Sequence, residues 1–130
     1  MKLSKTKLLA LVLCSFFLQS QTNAQEKSKN ILIADCVAGV MVNNKINNRD
    51  SSKVSSISKQ AFQKYSPKVL SLMEQVESKC TSIDNYCVRN AIKNNSDYEI
   101  AARLYGNFAF ARTQPEQMII IGESACGKLN

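Results

Sequence analysis

The chain has 130 residues, with 17 lysines and arginines against 10 aspartates and glutamates, and no histidine. Without histidine it lacks the commonest general base near neutral pH and the commonest nitrogen ligand for metals, which argues against most hydrolytic and metal-dependent chemistry. Its length suits one small domain, and its 4 glycines and 2 prolines argue against a hairpin-rich sheet protein.

Lys2, Lys5 and Lys7 form a basic lead, Leu8 to Leu18 is an almost uninterrupted apolar run, and Thr22-Asn23-Ala24 offers small residues where a signal peptidase reads. The pattern predicts a cleavable secretory signal peptide over 1–24 and a single disulfide-tied domain over 25–130, in the periplasm or secreted. The apolar run is about eleven residues, short of the about 20 that span a bilayer, and no later stretch is long and apolar enough, so no transmembrane anchor is expected. Cys14 follows bulky Leu13 inside that run and reads as part of the signal, not as a lipidation site. Cleavage leaves 14 basic residues against 10 acidic ones, which removes most of the support for a nucleic-acid partner.

The remaining cysteines, Cys36, Cys80, Cys87 and Cys126, are even in number, and in a small exported domain they read as two disulfides. Pairing Cys80 with Cys87 and Cys36 with Cys126 is favoured. The first bridge would join a helix end to the next helix start, and the second would tie the first helix to the last. Chain entropy assigns about 4.5 kcal/mol to the long bridge and about 2.5 to the short one, but pairing Cys36 with Cys80 and Cys87 with Cys126 sums to a similar total. The absence of a C-x-x-C pair and of histidine speaks against zinc, and no cofactor or metal is expected.

From Ile31 to Ile46 the chain is apolar on nearly every side, which suits a central helix, although its β-branched residues also allow a strand. Val54, Ile57, Ala61, Phe62 and Tyr65 then share one side of a second helix, with Lys53, Lys59 and Lys64 opposite. Ser66-Pro67 is read as closing that helix and opening a third, which carries Val69, Met73, Val76 and Cys80. Ser82 is the expected cap of the next, with Ile83, Tyr86, Cys87, Ala91 and Ile92 on one face and Asn94-Asn95 at its end. Ser96-Asp97-Tyr98-Glu99 has the form of a capping box ahead of the stripe Ile100, Ala101, Leu104, Tyr105 and Phe108. Pro115 marks another start, and Met118 to Cys126 reads as a short last helix stopped by Gly127, or else as a buried strand at Met118 to Ile121. The fold class expected is all-α, a small bundle of five to six short helices closed by two disulfides.

Two catalytic patterns are nearly present at the C-terminus. Gly122-Glu123-Ser124-Ala125-Cys126 imitates a nucleophile elbow but has cysteine where the last glycine belongs and no histidine to take the serine proton. Gly122 to Gly127 followed by Lys128 imitates a phosphate loop, but Leu129 replaces the magnesium-binding hydroxyl and no helix can follow. Small residues packing a last helix explain both. Glu74 with Glu77, and Asp97 with Glu99, read as solvated acids on helices, and Asn94-Asn95-Ser96 as a loop, so no catalytic residue is assigned.

Charge is uneven. Glu26 to Lys68 carries eight basic and three acidic residues, while Val69 to Asn130 carries six and seven. A solvated helix face accounts for this, and the sharper reading is a patch of Arg49, Lys53, Lys59, Lys64 and Lys68 facing an anionic partner, whether an acidic protein surface, a lipid head group or an envelope polymer. Phe110 leaves the apolar stripe and lies near Arg103 on a helical wheel. It is expected in the core if its helix is covered on both sides, and as an interface anchor otherwise. By elimination the expected function is an exported non-enzymatic protein-binding module of inhibitor, immunity, adaptor or small-chaperone type, with an envelope or secreted protein as partner. The alternative is a carrier of a small apolar ligand in an interhelical cavity lined by Met41, Met73, Met118 and aromatics.

Overall fold

The computed structural model describes residues 28–48 and 50–130. The signal peptide expected over 1–24 and Arg49 of the basic patch lie outside them. Among the described residues are five α-helices and one short 3-10 turn, with no strand, and the two disulfides are Cys36–Cys126 and Cys80–Cys87. None of these helices is long and apolar enough to cross a membrane.

The first helix, α1, covers residues 28–46, and residues 33–40 are buried in succession, so neighbours surround it on all sides. Its small residues Ala34, Cys36, Ala38 and Gly39 allow this, because other helices can approach whichever face they occupy. Val37 and Val40 leave a strand conceivable, but packing overrides that preference. At the C-terminal end Asn48 takes a left-handed φ of 53°, which asparagine tolerates, and turns the chain back. Buried Asn43 donates to the carbonyl of Lys53 at 3.2 Å, fastening the 3-10 turn Ser51–Lys53 to α1.

The second helix, α2, runs without a break over Ser56–Lys79, capped by Ser55, whose side chain accepts from the Ser58 amide. The break expected at Ser66-Pro67 does not occur. An interior proline costs a helix roughly 3 kcal/mol. Here Ala61, Val69, Leu72 and Val76 on both sides of Pro67 bury against the core, and Pro67 and Gln63 lie on the exposed side, where water can serve the carbonyl that loses its donor. Ile57, assigned to the apolar side, is half exposed, because Ser58 and Ala61 fill the inward positions of that first turn.

Helix α3, Asn85–Ala91, starts at Asp84, which accepts from the Cys87 amide at 2.8 Å, and not at Ser82. The Cys80–Cys87 bridge sets this start by holding the segment between its two cysteines as a tight loop, leaving Ile83 and Tyr86 exposed. Helix α4, Asn95–Ala111, is capped by Asn94, which accepts from the amides of Ser96 and Asp97, so the capping box at Ser96 is not the cap used. Its glutamate, Glu99, accepts instead from Asn30 of α1. Helix α5, Pro115–Leu129, begins with Pro115 in its first turn, contains Met118 to Ile121 as helix, and continues through Gly127.

The core gathers Val37 of α1, Val69 and Val76 of α2, Val88 of α3, Ile100 and Leu104 of α4 and Met118 of α5. Helices α1 and α5 run in opposite directions, and their backbones nearly touch where Gly39 meets Gly122. A Cβ on Gly39 would stand 2.5 Å from the Gly122 Cα. One helical turn away Cys36 is bonded to Cys126, with Cα atoms 4.8 Å apart. Gly122, Ala125 and Cys126 are the buried side of α5, and exposed Ser124 lies off it, in accord with the packing explanation of the C-terminal glycine motifs.

Candidate functional site

One acid interrupts the buried stretch of α1. Asp35 is 5% exposed, so its carboxylate needs donors. Arg103 of α4 supplies two, from Nε at 2.8 Å and Nη2 at 3.3 Å, and Asn107, one helical turn along α4, supplies a third at 2.8 Å. These bonds, together with that from Asn30 to Glu99, lay α4 along α1 in the same direction. The hydrogen bond to Asp35 is the main reason the Arg103 guanidinium holds its proton more tightly than usual, against the opposing effect of partial burial.

Arg103 is nevertheless 47% exposed, because it reaches Asp35 from the floor of a surface groove. The groove, of about 650 Å³, is lined by Ile31 of α1, Ala102, Arg103, Gly106 and Phe110 of α4, and Ile121 of α5. Two of the five N–H bonds of the guanidinium are committed to Asp35, leaving three for a further acceptor. Phe110 is 41% exposed, Ile121 37% and its neighbour Ile120 65%. The expectation that Phe110 enters the core therefore fails: α4 buries Ile100, Leu104 and Asn107 on its inner side, and the groove leaves the flank carrying Phe110 uncovered.

Lys53, Lys64 and Lys68 are exposed and Lys59 is partly so. Lys68 pairs with Asp97 of α4 at 3.2 Å. Lys64 lies over the ring of Tyr65, 5.4 Å from its centre. Lys59 is separated from Lys64 by about 140° around the helix. Lys53 and Lys59 act on Asp50, whose carboxyl is held below its usual value first by the hydrogen bond from the Ser52 hydroxyl, then by the Ser52 amide, and then by the two lysines. Phe110 belongs to the groove of Arg103, on other elements than these lysines.

The three methionines proposed for a ligand cavity are dispersed. Met118 is fully buried in the core, Met73 packs beside Tyr105, whose hydroxyl donates to its carbonyl, and Met41 lines an outer groove between α1 and α4. Among the described residues no three acidic or cysteine side chains gather into a group able to hold a metal ion.

The Asp35–Arg103–Asn107 cluster was not among the residues picked out from sequence. Its signal was present: a single acid inside an apolar helix must find a partner, and Arg103 and Asn107 share one face of a later helix. The chain matches no family model, no curated protein and no solved structure, so its site is read from its own geometry.

Proposed function

We propose that this chain is an exported, non-enzymatic module, working in the periplasm or after secretion, that binds another protein through the groove between α1, α4 and α5. The observation that carries the reading is the exposure of Phe110 and Ile121 in one groove with an arginine already oriented by a buried carboxylate. Exposed aromatic and aliphatic side chains beside arginine are what binding hot spots are made of. Arg103 does not need to be ordered on binding, since Asp35 and the α1–α4 contact hold it in place. The partner segment that fits presents apolar side chains to Phe110 and Ile121 and a backbone carbonyl or carboxylate to the free N–H bonds of Arg103.

The test is a photo-cross-linking residue at position 121, which lines the groove, followed by identification of the adduct and calorimetry with the identified partner. The expected result is saturable binding that is lost in the Phe110→Asp, Ile121→Asp double variant and kept when Lys53, Lys59 and Lys64 are changed to glutamate. Loss with the lysine variant alone would place the interface on α2. Substrate turnover that tracked a single carboxylate or serine would overturn the reading altogether.

A further inference from the structure

A second groove, of about 690 Å³, lies where α1 and α4 end. Its apolar surface comes from Met41, Val42 and Ile46 of α1 and Phe108 of α4, and two cations border it, Lys45 and Arg112. Among the described residues the ion pairs are Lys68–Asp97 and Arg103–Asp35, so neither Lys45 nor Arg112 has an acidic partner within 4 Å. Each sits at a helix C-terminus, where a cation answers the helix dipole. A helix end presents about half an elementary charge, however, and two full positive charges exceed what two such ends neutralise.

Beyond Met41 and Lys45, which it shares, the groove adjoins a polar recess lined by Asn44 and Asn48. Met41 and Lys45 thus stand between the apolar floor on one side and the amides of Asn44 and Asn48 on the other. We infer that this groove binds a single-chain anionic amphiphile, a carboxylate or phosphate head on an acyl chain. The chain lies on Met41, Val42, Ile46 and Phe108, and the head is held by Lys45 and Arg112 with the Asn44 and Asn48 amides as further donors. The volume is within the roughly 300–1,000 Å³ of small-molecule sites. Charge complementarity selects the anionic occupant, and the site is independent of the protein-binding groove, which lies on other residues.

The test is calorimetry on the full, disulfide-intact chain below the critical micelle concentration, with three ligands of one chain length: myristate, 1-myristoyl lysophosphatidate and myristyl alcohol. Amide shift mapping by NMR accompanies it. Both anions, or one of them, bind at least about tenfold tighter than the alcohol, with shifts centred on residues 41–46 and 108–112, and the tighter anion identifies the head group. Lys45→Glu with Arg112→Glu weakens the anion by at least about tenfold, and so does Ile46→Glu, which alters a half-exposed residue and spares the core. Equal binding of the alcohol, indifference to either variant, shifts centred elsewhere or absence of saturable binding would overturn the assignment.

Discussion

Gly39 and Gly122 face each other across the α1–α5 crossing so closely that neither position has room for a methyl group. Alanine at either must push the helices apart beside the Cys36–Cys126 bridge, which resists the movement. Gly39→Ala or Gly122→Ala therefore destabilises by about 2 kcal/mol, the cost of overpacking less the usual helical gain from alanine. At Gly106 and Gly127 a Cβ meets nothing within 4 Å, and alanine there stabilises by about 0.5–1 kcal/mol. Urea denaturation of the four single variants checks the opposite signs.

Removing Arg103 leaves buried Asp35 with Asn107 as its one side-chain donor. Arg103→Ala costs about 2 kcal/mol, below the 3–5 of a fully buried pair because Arg103 is itself half exposed. Combining it with Asp35→Asn removes the unpaired charge and recovers part of that loss. A double-mutant cycle by chemical denaturation gives a coupling energy of about 1–2 kcal/mol, and additive effects would show that the pair contributes nothing.

The two disulfides differ in burial and in the loop they close. Cys36 and Cys126 are completely buried and span 90 residues, whereas Cys87 is partly exposed and lies 7 residues from Cys80. Mild reduction followed by alkylation and peptide mapping labels Cys80 and Cys87 first. Replacing Cys36 and Cys126 together costs about 4.5 kcal/mol, against about 2.5 for the Cys80 and Cys87 pair.

Asp50 titrates below its usual value, because Ser52 and two lysines favour its charged form. A carboxyl lowered on folding contributes stability above its unfolded pKa and loses it as pH falls through the folded one. Carbon-detected NMR titration is expected to find the Asp50 midpoint below that of an ordinary aspartate, and Ser52→Ala to move it upward.

The helical fold, the central position of α1 and the presence of two disulfides follow from apolar spacing, scarce turn residues and the even cysteine count, whereas the pairing, for which a rival had a similar entropic total, is decided by the structure. Helix boundaries were less legible because several residues nearby could serve as caps. Ser82 and Ser96 lost to Asp84 and Asn94, whose side chains meet the amides once the bridge and packing fix the loops. Pro67 misled for a related reason, since a local cost was outweighed by burial that only the tertiary structure supplies. At the groove, Phe110 carried a signal that its wheel position revealed, but its exposure depends on how α1 and α5 flank α4. Asp35 was hidden by its surroundings, being one polar residue in an apolar run whose partners lie about 70 residues further on.

The embedding of α1 has a consequence for the order in which the domain is made. Besides its packing on α2, it makes several contacts with distant α4 and α5: Cys36 with Cys126, Gly39 with Gly122 and Asp35 with Arg103 and Asn107. Helices α2 and α3 alone leave uncovered the sides of α1 that α4 and α5 bury. The fold therefore closes around α1 only when α5, Pro115–Leu129, docks on it, a contact of long sequence separation that is expected to form late.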